Sequence, residues 1–219
     1  MPEEIFDIYD EHLNPIGTAT RAETHKNGYW HRSFHCWLTR REGDRQFVRF
    51  QLRQACKDTN PSCFDITAAG HFSTGETLRD AVRELAEELG VIATFEELIP
   101  LGQVREDLTG IVNGNTFIDR EVSDIFALIC DLPMNELRLQ PDEVAGVYEA
   151  GINELLLLFE GKCNEIIVSG VILATSDVSN DASSNQTLLS SQRSIRANQF
   201  VPRNYSYYID VLQKLLQCT

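Results

Sequence analysis

The chain has 219 residues, 42% of them hydrophobic, and a formal net charge of −14. That apolar share supports a sizeable core and excludes a disordered chain, while the shortage of Lys and Arg excludes a nucleic-acid polymer as partner, because nothing is left to displace counterions from a phosphate backbone. No run of about 18 apolar residues occurs, and the opening MPEEIFDIYD is acidic where a secretion signal is basic and then apolar, so we expect no membrane segment and a cytoplasmic setting.

Glu4 to Tyr9 reads as a short strand. The aromatic, histidine-rich stretch HKNGYWHRSFHCW follows, and its second half, Ser33 to Thr39, is expected to form another strand. Phe47 to Arg53 alternates, with Val48, Phe50 and Leu52 on one side and Arg49, Gln51 and Arg53 on the other, the pattern of a half-buried strand. A loop holding Asn60-Pro61 leads into the brief strand CFDIT and then into GHFSTGETLRDAVRELAEELGV, Gly70 to Val91. Within it Thr77 to Leu89 is expected to be a helix, with Leu78, Ala81, Val82, Leu85 and Leu89 on one stripe and Gly90 at the C-terminal cap.

Strands are expected around 98–105, 121–130 and 144–149, then a short helix near 152–160 and an apolar segment at Ile166–Leu173. From Thr175 to Ser194 the chain turns to Ser, Asn, Asp and Gln and reads as a long exposed loop. Tyr205 to Gln217 is again amphipathic, a helix docking back onto the domain. The six cysteines are scattered without a C-x-x-C pair, which fits reduced thiols.

Glu84, Glu87 and Glu88 stand at i, i+3 and i+4, so a helix places three carboxylates on one face, with Arg83 able to pair with Glu87. The loop GHFSTG before them carries two glycines, which let backbone approach a ligand closely and offer a carbonyl to a hard cation. Like charges crowded beside such a loop call for a cation.

On these residues the stretch resembles a Nudix box, which runs Gly, five residues, Glu, seven residues, Arg-Glu, an aliphatic, any residue, Glu-Glu, any residue, Gly and an aliphatic. Gly70, Glu76, Arg83, Glu84, Leu85, Glu87, Glu88, Gly90 and Val91 supply its marked positions. Six residues instead of seven separate Glu76 from Arg83. Since one residue lost inside a helix rotates the flanks by roughly 100°, the shortening is expected at the loop-to-helix junction.

The resemblance implies an α+β fold, an α/β/α sandwich with a mixed β-sheet between helices. It implies a domain over residues 1–173, with the polar loop and helix of 174–219 packed on it. It also implies hydrolysis of a small-molecule diphosphate. By the same analogy Glu84, Glu87 and Glu88 hold Mg²⁺ or Mn²⁺, the Gly70 carbonyl is a further ligand, Arg83 orients a glutamate, and Gly70 with His71 meets the substrate.

EEIFDIYDEHLNPIGTATRAETHKNGYWHRSFHCWL, DITAAGHFSTGET and FIDREVSDIFAL, taken together, resemble the Nudix branch of type I isopentenyl diphosphate isomerase and its hydrolase relatives. In that isomerase a metal is held at positions whose counterparts are His25, His31, His71, Asp119 and Glu121, a donor set suited to a divalent metal. The isomerase also needs a cysteine directly before the glycine–histidine pair, and Ala69 stands there; Cys63 and Cys36 lie elsewhere. Alanine cannot move a proton, so the resemblance favours hydrolysis of a nucleoside diphosphate derivative or a prenyl diphosphate.

Asp119 and Glu121 share one side of a strand, and the base for the attacking water is Glu121 or a box glutamate. The rival readings are an isomerase-like enzyme and a non-catalytic nucleotide-sensing domain. Specificity is expected in loops such as Gln103–Thr116, and the C-terminal helix offers a contact surface for a homodimer.

Overall fold

The computed structural model describes residues 3–112, 114–174 and 186–218. Strand β1 (Ile5–Tyr9) pairs antiparallel with β2 (Pro15–Thr20), and the chain then enters helix α1 (Arg21–Asn27). Thr20 and Glu23 cap the start of α1 reciprocally, and Gly28, at φ 67°, ends it in the left-handed conformation.

Strand β3 (Trp30–Glu42) is the spine of the sheet. Trp30 to Thr39 lie parallel to β8 (Asn115–Ile129) on one side; on the other, Ser33 to Cys36 pair antiparallel with β6 (Ala68–His71) and Thr39 to Glu42 with β4 (Arg45–Arg53). The sheet runs on from β4 through β9 (Val144–Gly151), β10 (Ile166–Leu173) and β11 (Leu188–Ile195), with β5 (Phe64–Asp65) beside β4 and β7 (Ile99–Val112) beside β8. One parallel pairing among antiparallel ones makes the sheet mixed, as expected of the α+β class.

Alternation along β3 sends side chains into two cores. Phe34, Cys36 and Leu38 pack with Leu85 and Leu89 of helix α2 (Arg83–Leu89). Trp37 packs on the opposite side with helices α3 (Ile152–Phe159) and α4 (Tyr205–Cys218). Helix α4 spends its apolar stripe here: Tyr207, Tyr208, Val211, Leu212 and Leu215 are buried, and Tyr208 stacks on Phe159 at 4.4 Å between centroids. Helices thus flank the sheet on both faces.

Three expectations need correction. The helix expected over Thr77–Leu89 is α-helical only from Arg83; Asp80 accepts hydrogen bonds from the Thr77 amide (2.8 Å) and hydroxyl (2.7 Å), and Asp80–Val82 winds as a tighter 3₁₀ turn. The apolar stripe was read correctly, since Ala81, Val82, Leu85 and Leu89 are buried. Gln103–Thr116, read as a loop, is instead mostly the arms of the β7–β8 hairpin, exposed on both faces and so without an apolar period to reveal it.

The polar stretch Thr175–Ser194 holds most of β11, hydrogen-bonded along β10, whose Ser, Gln and Arg side chains face outward at the sheet edge. Residues 175–185 lie outside the described ones. Helix α1 and strand β2 went unread, although Thr20-x-x-Glu23 and Gly28 mark the helix at both ends. No helix among the described residues is long and apolar enough to cross a membrane.

Candidate active site

Helix α2 presents Glu84, Glu87 and Glu88 to a cavity of about 460 Å³ that β6, α1, β3 and β8 also line. Gly90, at φ 69°, closes the helix and lets the chain turn away. Arg83 at its first position is the hub of the acidic face: Nε meets Glu76 at 2.7 Å, and Nη1 meets Glu84 and Glu87, each at 2.8 Å. The hydrogen bond from Arg83 holds the Glu76 carboxyl below its usual range. The shortened interval of the box is therefore taken up ahead of Arg83, and Glu76 remains part of the network.

The three helix glutamates differ in environment. Glu88 is 5% exposed and accepts only long hydrogen bonds, 3.4 Å each, from Gln51 Nε2 and the Ala69 amide. Burial, and then the Glu84 charge, push its carboxyl well above the normal range. Burial likewise lifts Glu84 to about 7, despite Arg83 beside it. Glu87 is held at the rim, its side chain 53% exposed on Arg83. One buried and one largely buried carboxylate facing one cavity, with Arg83 the cation beside the pair, are an arrangement that a divalent ion stabilises.

The same cavity gathers histidines, with His31 buried beside it. His25 comes from α1, His31 from β3, His71 from β6, and Asp119 and Glu121 from β8, where the parallel register sets His31 beside Glu121. Ligand atoms of His25, His31 and His71 lie within 4.8 Å of one another, as do those of His31, Asp119 and Glu121. Among the described residues the helix glutamates do not converge this closely.

His25 Nδ1 sits 2.8 Å from the Arg21 carbonyl and His31 Nδ1 3.2 Å from that of Tyr29. Donation to a carbonyl places the proton on Nδ1 and leaves Nε2 as a lone pair. Those Nε2 atoms face Asp119 Oδ1 at 3.5 and 3.7 Å, and both His31 Nε2 and Asp119 Oδ1 are buried without a hydrogen-bond partner. A ring nitrogen and a carboxylate oxygen so opposed can share a cation.

Burial, with the His71 charge, pushes His31 down to about 4. Burial also raises Glu121, but the hydrogen bond from His71 Nε2 (2.9 Å) and the charge of that ring bring it net below the usual carboxylate range. No cysteine lines the cavity among the described residues. Cys36 lies in the core, where burial raises its thiol, and Ala69 stands beside Gly70.

All site residues expected from the sequence line this cavity or its wall: Gly70, His71, Arg83, Glu84, Glu87, Glu88, His25, His31, Asp119 and Glu121. Sequence reasoning missed its cations. Arg53 donates to Asp65 Oδ2 at 3.1 Å, Lys57 pairs with Glu143, and Arg203 donates to Asp65 Oδ1 at 2.7 Å. Arg53 was placed only as the polar side of a strand, and Arg203 follows a polar stretch with no motif to mark it.

The family model for the NUDIX domain matches residues 29–163. An uncharacterised Nudix hydrolase of Clostridium acetobutylicum is 38% identical over 216 residues, 99% of this chain and 98% of its own length. Isopentenyl-diphosphate Delta-isomerase 2 of Photorhabdus laumondii is 31% identical over 125 residues, 57% of this chain and 66% of its own. A crystal structure from Deinococcus radiodurans superposes with a TM-score of 0.54 at 19% identity, over 72% of this chain and 90% of the other, a likeness of fold. The match over most of the chain, together with the box residues supplied between Gly70 and Val91, shows that the chain belongs to the Nudix family.

Proposed function

We propose that this Nudix hydrolase is a divalent-metal-dependent enzyme that cleaves a diphosphate linkage by attack of water on phosphorus. The observation that carries the reading is that Glu84 and Glu88 face one cavity, Glu88 buried with only two long hydrogen bonds and Glu84 with Arg83 as its ion-pair partner. Their oxygens, with Glu87 at the rim, would hold Mg²⁺ or Mn²⁺; His25, His31, His71, Asp119 and Glu121 supply a nitrogen-and-oxygen set that suits Mn²⁺. When bound, such an ion neutralises the diphosphate and lowers the pKa of water.

The protein's own groups position the reactants. Arg83 restrains Glu84 and Glu87, so that the acidic face keeps its spacing. Arg53 and Lys57 line the same cavity and place positive charge near the phosphates. The proton of the attacking water goes to a carboxylate oxygen of a box glutamate, of which Glu84 is lifted to about 7, or of Glu121, whose partners are histidines. Phosphoryl transfer asks mainly for positioning and charge stabilisation, so no covalent nucleophile is required.

Isomerisation is disfavoured because no thiol lines the cavity among the described residues. The deciding experiment incubates the protein with a panel of diphosphates and Mg²⁺ or Mn²⁺. Release of a phosphate product that depends on metal and is lost in Glu88→Gln supports the reading. Conversion of isopentenyl diphosphate to its isomer, or binding without turnover, replaces it with one of its two rivals.

A further inference from the structure

Asp65 of β5 borders the cavity, yet it is 2% exposed and both its oxygens are taken. Oδ1 accepts from Arg203 Nη1 at 2.7 Å and from the Ile66 amide at 2.9 Å, and Oδ2 accepts from Arg53 Nη1 at 3.1 Å. Such a carboxylate has nothing left to offer a ligand. Burial raises it, but the Arg203 and then the Arg53 charges bring it net below its usual range, so it stays ionised. Arg203 arrives from beyond the matched 29–163, because the Val201 amide donates to the Phe64 carbonyl at 2.8 Å and lays the C-terminal segment beside β5.

Arg53 carries this hold outward. Its Nε donates to the Asn60 carbonyl at 3.2 Å and its Nη2 to the Thr59 carbonyl at 3.1 Å. Both carbonyls belong to the loop 54–63 between β4 and β5, from which Lys57, Thr59 and Asn60 line the cavity. Asn60 and Ser62 have φ of 48° and 60°, left-handed values that non-glycine residues keep only where their surroundings impose them. The Arg53 fork fixes that bend from inside. With the Asp65 charge removed, the two guanidinium groups that share it are left to repel each other, and Arg53 loses the contact that aims its remaining donors at the loop.

We propose that Asp65 is a positioning residue: held by Arg203, it aims the Arg53 fork that fixes the loop 54–63, and so keeps Lys57, Thr59 and Asn60 where they meet a diphosphate. The inference rests on reading the cavity as a diphosphate site. It gives the C-terminal segment a part in binding, exerted through two other side chains.

Two measurements on the full chain test it: calorimetry with Mg²⁺ and methylenediphosphonate, an uncleavable probe, and amide hydrogen exchange of the metal-free protein read by mass spectrometry. Asp65→Asn keeps the shape and removes the charge. It is expected to weaken the probe at least about tenfold, because small misplacements are costly in a positioned site. Exchange over 54–63 should become at least about tenfold faster, while α2 and β3 change less than about threefold. Arg53→Lys keeps a cation at the site without the fork, and the same two effects are expected of it.

Unchanged exchange over 54–63, faster exchange there without weaker binding, weaker binding without faster exchange, or equal acceleration throughout the chain overturns the proposal. If circular dichroism shows Asp65→Asn unfolded, Arg53→Lys decides by the same two measurements. A wild-type chain that does not bind the probe removes the diphosphate reading together with this one; a wild type that binds it, with variants that bind as tightly, removes this one alone.

Discussion

Gly70 of β6 and Glu84 of α2 are in such close contact that a Cβ at position 70 would overlap the Glu84 carboxyl group. The glycine is there for approach: it lets strand backbone and a buried carboxylate share one wall. Gly70→Ala must therefore push the Glu84 carboxyl aside. We expect kcat/KM on a diphosphate substrate to fall about 100-fold, because a displacement near 1 Å costs that much in a positioned site. Chemical denaturation should show little loss of stability, because the atoms displaced are the end of a flexible side chain. Unchanged turnover in a folded Gly70→Ala protein would place Glu84 outside the chemistry.

Metal should stabilise this protein through its buried carboxylates. With Mg²⁺ or Mn²⁺ at 100 times its dissociation constant, unfolding should become harder by about 2.7 kcal/mol, and EDTA should reverse the gain. Glu88→Gln should melt a few degrees above the metal-free wild type, since it no longer buries a carboxylate of raised pKa, yet gain little from added metal. An equal metal response in both proteins would contradict the assignment of Glu88.

The histidine wall makes a separate prediction. Electron paramagnetic titration with Mn²⁺ should find two classes of site in the wild type, one at the glutamate helix and one at His25, His31, His71, Asp119 and Glu121. His31→Gln should retain the first class and lose the second. A variant that still binds both would mean the orphaned His31 Nε2 and Asp119 Oδ1 serve something other than a cation.

His35 gives stability a pH dependence of its own. Burial, reinforced by the Arg203 charge, pushes it from its ordinary 6.5 down to about 3, with Glu121, Asp65 and His71 also acting on it. A depressed folded pKa means the unfolded chain binds the proton first, so this contribution is complete above 6.5 and is lost as pH falls toward 3. Between pH 6.5 and 4 the wild type should lose about 3 kcal/mol more than His35→Gln, measured by denaturant unfolding at each pH. Parallel curves for the two proteins would show that His35 takes up no proton on unfolding in that range.

The glutamate helix was legible in the sequence because its information is local. Glu84, Glu87 and Glu88 are brought to one face by helical periodicity alone, Gly90 ends the helix by its own backbone freedom, and Arg83 reaches Glu87 across a single turn. Strands with one buried face were legible for the same reason. The histidine wall was reached through the resemblance, and its convergence is a tertiary product: α1, β3, β6 and β8 meet only because β3 pairs with β8 across some ninety residues, setting His31 beside Glu121.

Segments exposed on both faces, such as the outer part of the β7–β8 hairpin and β11, left no hydrophobic period to read, although Asn113-Gly114 is a turn signal in the hairpin, whose buried parts read as strands at 98–105 and 121–130. Arg203 had no local signal at all. Its meaning comes from the Asp65 carboxylate at 2.7 Å, 138 residues away in the chain. Sequence by itself determined the chemistry that depends on neighbours along one helix; folding decided which distant charges face the same cavity, because burial and pairing register are properties of the packed sheet.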